Sequence, residues 1–86
     1  MTPSTREWIL DWLAANSGVA RPTIEHASAL SYFEQGLIDS FTFIRFITEL
    51  EEAHGVRFRN DDFQDRAFST VDGLATMIDA RRHVER

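Results

Sequence analysis

The sequence predicts an all-α protein: an irregular four-helix bundle of three long helices and one short one, with a long loop between helices one and two. Three observations carry this. Apolar residues recur at three- and four-residue spacing in three separate stretches. Gly18 and Gly55 stand just past two of those stretches, the usual place for a left-handed residue that ends a helix. The one alternating run, Val56-Arg57-Phe58-Arg59, is too short for a credible sheet and has no partner strand.

The first helix is expected over Thr5–Ala15. Ser4-Thr5-Arg6-Glu7 reads as a capping box, and Trp8, Ile9, Trp12 and Leu13 follow at helical spacing. From Val19 to Ile38 no period holds, and Pro22 breaks the backbone. An ordered loop is expected there, pinned by Leu30, Phe33, Leu37 and Ile38, with one short helical turn near Ser31–Glu34.

The second long helix starts at Asp39 or Ser40 and runs to His54. Ile44, Ile47 and Leu50 mark its buried face, Phe43 and Phe46 widen that face, and Glu49, Glu51 and Glu52 fall opposite. Val56 and Phe58 anchor an extended connector. Asn60 or Asp61 caps a short helix over Asp62–Asp65. Ser69-Thr70 caps the last helix, whose inward positions are Val71, Leu74, Ala75 and Ile78, with Met77 alongside. Gly73 costs that helix roughly 1 kcal/mol relative to Ala, which packing must offset. Arg81, Arg82 and Arg86 suit the negative end of its dipole.

Composition removes several classes of function. With 86 residues the chain is expected to be one domain, 1–86. Such a chain buries roughly 60–65% of its unfolded surface, enough for a small core but not for a deep active site as well. The apolar fraction of 43% and the net charge of −5 fit a globular chain. All nine basic residues are Arg, and they form no stripe that would engage nucleic acid. The absence of cysteine excludes disulfides and thiolate metal sites and suits a reducing compartment. No apolar run approaches the ~20 residues of a membrane span, and Met1-Thr2-Pro3-Ser4 is unlike a signal peptide. His26, His54 and His83 share no metal-ligand spacing, and Asp61, Asp62 and Asp65 lack the Gly and closing Glu of a calcium loop. The expectation is a cytoplasmic binding or carrier module, free-standing as Met1 and the short ends suggest.

Ser40 is the residue that asks for chemistry. It falls where a helix begins, a position that favours an anion such as a phosphodiester. Its hydroxyl could equally cap the helix, as Ser commonly does, or Asp39 could cap and leave Ser40 free. A serine hydrolase would need Gly-x-Ser-x-Gly on a strand-to-helix turn, whereas Ile38 and Thr42 flank Ser40 at those positions.

A longer pattern surrounds it. Phe33-x-x-Gly36-Leu37-Ile38-Asp39-Ser40 is followed by Leu50-Glu51-Glu52-x-x-Gly55-Val56 and by Phe63. Phe68-Ser69-Thr70-Val71-x-x-Leu74-Ala75-x-Met77-Ile78 completes it. Over residues 30–79 the chain resembles the acyl and peptidyl (aminoacyl) carrier proteins. The resemblance implies that a phosphopantetheinyl transferase moves 4′-phosphopantetheine from coenzyme A to Ser40, with Asp39 helping the transferase engage. It implies that acyl or aminoacyl groups ride on that arm as thioesters, and that the carrier is not an enzyme.

This sequence also departs from the carriers of primary fatty acid synthesis. Those usually continue with Leu-Asp after the serine and place an acid soon after, where this chain has Phe41-Thr42 and then Arg45. A basic partner patch should bind such a surface poorly. The expectation is therefore a specialised carrier, secondary or amino-acid-loading, with Phe41, Thr42, Arg45 and Glu49 as its partner surface. Its partners would be an acyl- or aminoacyl-adenylating ligase and downstream acyl-processing enzymes, and it would act as a monomer. Phe43 and Phe46 fit the core, whereas Phe41 is evenly balanced between partner contact and local packing. The competing readings are a helical interaction module using Phe41 and Arg45, and an unmodified carrier homologue acting as a regulator.

Overall fold

The computed structural model describes residues 4–59 and 61–84, with side chains as far as Arg81. The first helix, α1 (Thr5–Ser17), begins where Ser4 Oγ accepts the Glu7 amide at 3.2 Å and ends at Gly18, at φ 76°. Only half of the expected capping box forms. Glu7 turns away from Ser4 and pairs with Arg21.

Arg21 opens a helix the sequence did not suggest. α2 (Arg21–His26) lies inside the stretch expected to be loop, with Pro22 in its first turn. There the missing N–H of proline would have had no helical partner anyway, so Pro22 starts the helix instead of breaking the backbone. Six residues are too few to hold a helix by propensity. This one is held by its contacts: Ile24 is buried in the core, and Arg21 also lies 2.8 Å from Asp11 of α1. The short member of the bundle is therefore the second helix, not the third. The turn near Ser31–Glu34 is a single hydrogen-bonded turn, with the Gln35 amide on the Ser31 carbonyl at 3.1 Å.

α3 (Ser40–His54) buries Phe46, Ile47 and Leu50 and ends at Gly55, at φ 65°. Ile44 does not belong to that face: it is 66% exposed. At 100° per residue it lies roughly 110° round the helix from the centre of the buried trio, beyond the edge of the stripe. Phe43 is half-buried, its ring 4.9 Å from Phe33 and 6.1 Å from Phe63. Of the loop residues expected to pin the fold, Leu37 and Ile38 are buried, whereas Leu30 and Phe33 stay exposed.

The connector is anchored by buried Val56 and by Phe58, whose amide donates to Glu51 at 2.9 Å. In place of a short α-helix the chain makes two 3₁₀ turns, Asp62–Gln64 and Arg66–Ser69. Asp61 makes no side-chain cap, and Asn60 lies outside the described residues. Asp62 does the tying instead, accepting the Arg59 amide at 2.7 Å and pairing with Arg81.

α4 (Val71–Val84) is capped by Thr70 Oγ1, which accepts the Gly73 amide at 3.0 Å, and it buries Val71, Leu74, Ala75 and Ile78. Near its end Arg81 donates to the Arg57 carbonyl at 2.7 Å and lies over the Phe58 ring. The side chains of Arg82, His83 and Arg86 lie outside the described residues.

The core joins Ile9, Leu10 and Leu13 of α1 to Phe46, Leu50, Phe68, Leu74 and Ile78. Tyr32, fully buried, runs through its middle and donates its hydroxyl to the Phe68 carbonyl. A lone antiparallel bridge between Ser31 and Thr70, with the Tyr32 amide on the Ser69 carbonyl at 2.9 Å, stitches the loop before α3 to the start of α4. A polar cluster continues this seam. Ser28 Oγ donates to Asp72 at 2.9 Å, and Arg6 reaches Asp72, Ser28 and Glu25. α1 and α3 run antiparallel, so Trp8 meets His54 at one end of the pair and Asn16 meets Arg45 toward the other.

Candidate functional site

The approach to Ser40 is fixed from below. Gly36, at φ 73°, turns the chain; Leu37 and Ile38 are buried next; and Asp39 is extended. The Asp39 carboxylate accepts the Thr42 amide at 2.8 Å, and its carbonyl accepts the Phe43 amide at 2.8 Å. Asp39 is thus the cap of α3. The Thr42 amide, foremost, holds its carboxyl below the ordinary Asp range, so it is ionised at neutral pH.

With the cap supplied by its neighbour, Ser40 occupies the first helical position with its side chain exposed. Its hydroxyl has no hydrogen-bond partner among the described residues. An alcohol here is reachable, uncommitted, and close to the backbone N–H groups of a fifteen-residue helix. These properties fit a hydroxyl that is to carry a phosphodiester.

The expected partner residues divide into two groups. Phe41, 86% exposed, and Thr42, half-buried, adjoin Ser40. Arg45 and Glu49 lean toward α1 and are engaged with each other at 3.3 Å. Arg45 also donates to Asn16 and lies 5.5 Å over the Trp12 ring, whose indole N–H donates to Glu49 at 3.2 Å. Ile44 was missed as a surface residue. Its position three residues after Phe41 and four after Ser40 places all three along one side of the helix.

A family model described as phosphopantetheine attachment site matches residues 7–78. The chain belongs to this family. The match begins in α1 and closes in α4, so it takes in every helix of the bundle. As a carrier protein it is the site of covalent 4′-phosphopantetheine attachment, it works with phosphopantetheinyl transferases and partner enzymes, and it is not itself an enzyme. No curated protein and no solved structure gives a significant match. Among the described residues no helix is long and apolar enough to cross a membrane.

Proposed function

We propose that Ser40 is the residue that takes the prosthetic group, and that residues 1–86 act as one carrier domain. The observation that carries this is the division of labour at the start of α3: Asp39 caps the helix, and Ser40 is left exposed and uncommitted. In the attachment step Ser40 Oγ forms a new P–O bond as the pyrophosphate linkage of coenzyme A breaks. Adenosine bisphosphate leaves, and the serine proton passes to a base of the transferase. Once in place, the arm supplies a terminal thiol for thioester chemistry. The protein's own part is to hold the attachment point at the tip of a rigid helix, next to Asp39, which we read as a recognition point for the transferase.

The reading extends to specialised metabolism. α3 has no acid in its first turn, and its first acidic residue, Glu49, is paired with Arg45. Enzymes that grip carriers through a basic patch find little to hold there. An acyl- or aminoacyl-adenylating ligase and the enzymes that follow it are the partners this surface favours, in a cytoplasmic and monomeric setting. Intact mass after incubation with coenzyme A, Mg²⁺ and a broad-specificity phosphopantetheinyl transferase tests the attachment. The expected result is one phosphopantetheine added to wild type and none to Ser40→Ala. No gain in wild type would leave the unmodified, regulatory role standing.

A further inference from the structure

α2 is fastened differently from the chain on either side of it. Its N-cap residue, Ala20, makes no side-chain cap bond, and Ile24 is its only buried side chain. Pro22, Thr23, Glu25 and His26 all face solvent. The rest of its hold is ionic: Arg21 pairs with Glu7 and Asp11 of α1, and Glu25 lies 3.5 Å from Arg6. Each of these five side chains is at least 34% exposed. Exposed pairs of this kind contribute little apiece, and salt screens them.

The flanks are held by other means. Before α2, Gly18 closes α1 and Val19 packs against the core. After it, main-chain bonds take over at Ser28, whose carbonyl accepts the Asp72 amide at 3.2 Å. The Tyr32 amide then bonds the Ser69 carbonyl, and its buried ring anchors the loop that leads to Ser40. Bonds between main-chain groups, and an aromatic ring in the core, are not weakened by screening of surface charge. A helix fixed by one apolar side chain and exposed ion pairs thus abuts a loop fixed by backbone bonds and burial.

We infer that α2 is an ionically latched flap. Residues 20–27 open as a unit while α1, α3, α4 and the loop from Ser28 to Ser40 stay folded, and ionic strength sets how often they do so. Arg21 is the latch, and Ile24 is the apolar plug that leaves its place against the core when the flap opens. Opening stops at Ser28, because the next contacts are of the kind salt does not loosen. The carrier can therefore respond to its ionic surroundings at α2 without disturbing the start of α3.

Amide hydrogen exchange on the full chain, followed by NMR at low and high salt, tests this in wild type and in Arg21→Gln. Arg21 is the cleaner probe, since Arg6 also reaches Ser28 and Asp72. Rates are taken relative to those of the unstructured peptide under the same conditions. At low salt the Ile24 and Ala27 amides are expected to exchange about tenfold or more faster than those of Tyr32, Leu50 and Asp72, as a locally opening unit does. Going from about 0.01 M to about 1 M salt should speed Ile24 and Ala27 by a further fivefold or so and leave the other three within about twofold. Arg21→Gln should show the fast exchange already at low salt and lose most of the salt response.

Ile24 and Ala27 exchanging in step with Leu50 at both salt concentrations would overturn the flap. Tyr32 and Asp72 accelerating together with Ile24 would overturn its boundary at Ser28. A salt response that is absent from wild type, or undiminished in Arg21→Gln, would overturn the ionic latch. If the variant fails to fold, the wild-type comparison across salt still decides between these outcomes.

Discussion

Gly73 lies against Ala67 so closely that a Cβ at position 73 would stand 2.2 Å from the Ala67 carbonyl oxygen. α4 and the second 3₁₀ turn meet there backbone to backbone. Propensity favours Gly73→Ala by roughly 1 kcal/mol, but the obstructing atom is main chain and cannot rotate aside. The substitution is expected to destabilise the fold by about 1–3 kcal/mol, as overpacking does. A urea titration followed by circular dichroism reads it.

Tyr32 ties the core in a comparable way. Its buried hydroxyl serves the Phe68 carbonyl, and burial pushes its pKa well above the ordinary tyrosine value, so it remains a donor at any working pH. Tyr32→Phe keeps the ring and strands the carbonyl. A loss of about 1–2 kcal/mol in chemical denaturation is expected.

Capping and attachment should separate by substitution. Ser40→Ala removes the mass gain while leaving stability within about 0.5 kcal/mol of wild type, because the serine side chain is exposed and uncommitted. Asp39→Ala removes the cap and should lower Tm by about 5 °C, whereas Asp39→Asn can still accept the Thr42 amide and should lower it less. Differential scanning calorimetry on the three variants compares them directly.

Two carboxylates set the acid limb. Asp39 is held low by the Thr42 amide. For Asp62, burial alone would raise the pKa, but the Arg59 amide and the Arg81 guanidinium outweigh it and lower it. A carboxyl whose folded pKa lies below its unfolded value, ~3.9, contributes its stability above that pH and loses it as the pH falls through the folded value. Tm should thus decline from about pH 4 downward. The gap between wild type and Asp62→Asn, widest at neutral pH, should narrow over the same range.

What the sequence made legible was what it encodes locally. Ser4, Thr70, Gly18 and Gly55 act within one turn of their own position, and the boundaries of the long helices follow from them. α2 was hidden because its supports are distant: Ala20 offers no cap, and its anchors are Ile24 in the core and Arg21 on two acids of α1. Ile44 was misplaced because a broad apolar stripe has an edge that composition does not mark. Tyr32, without helical period around it, gave no sign of its central place. At the site, Asp39 and Ser40 were both visible as cap candidates, and only the three-dimensional arrangement shows which one caps. The engagement of Arg45 with Asn16 and Trp12 spans two helices and leaves no trace in the residues beside it.

Thr5 donates to Asp79 at 2.6 Å, and Trp8 packs on His54, so the chain enters α1 and runs out of α4 at the end of the bundle opposite Ser40. The length of α3, roughly 21 Å along its axis from Ser40 to His54, lies between. Entry and exit therefore share one pole and the serine holds the other. A tether, a reporter or a neighbouring polypeptide fused at either flank would work as a stalk, turning the loaded pole outward without standing in the way of what visits it.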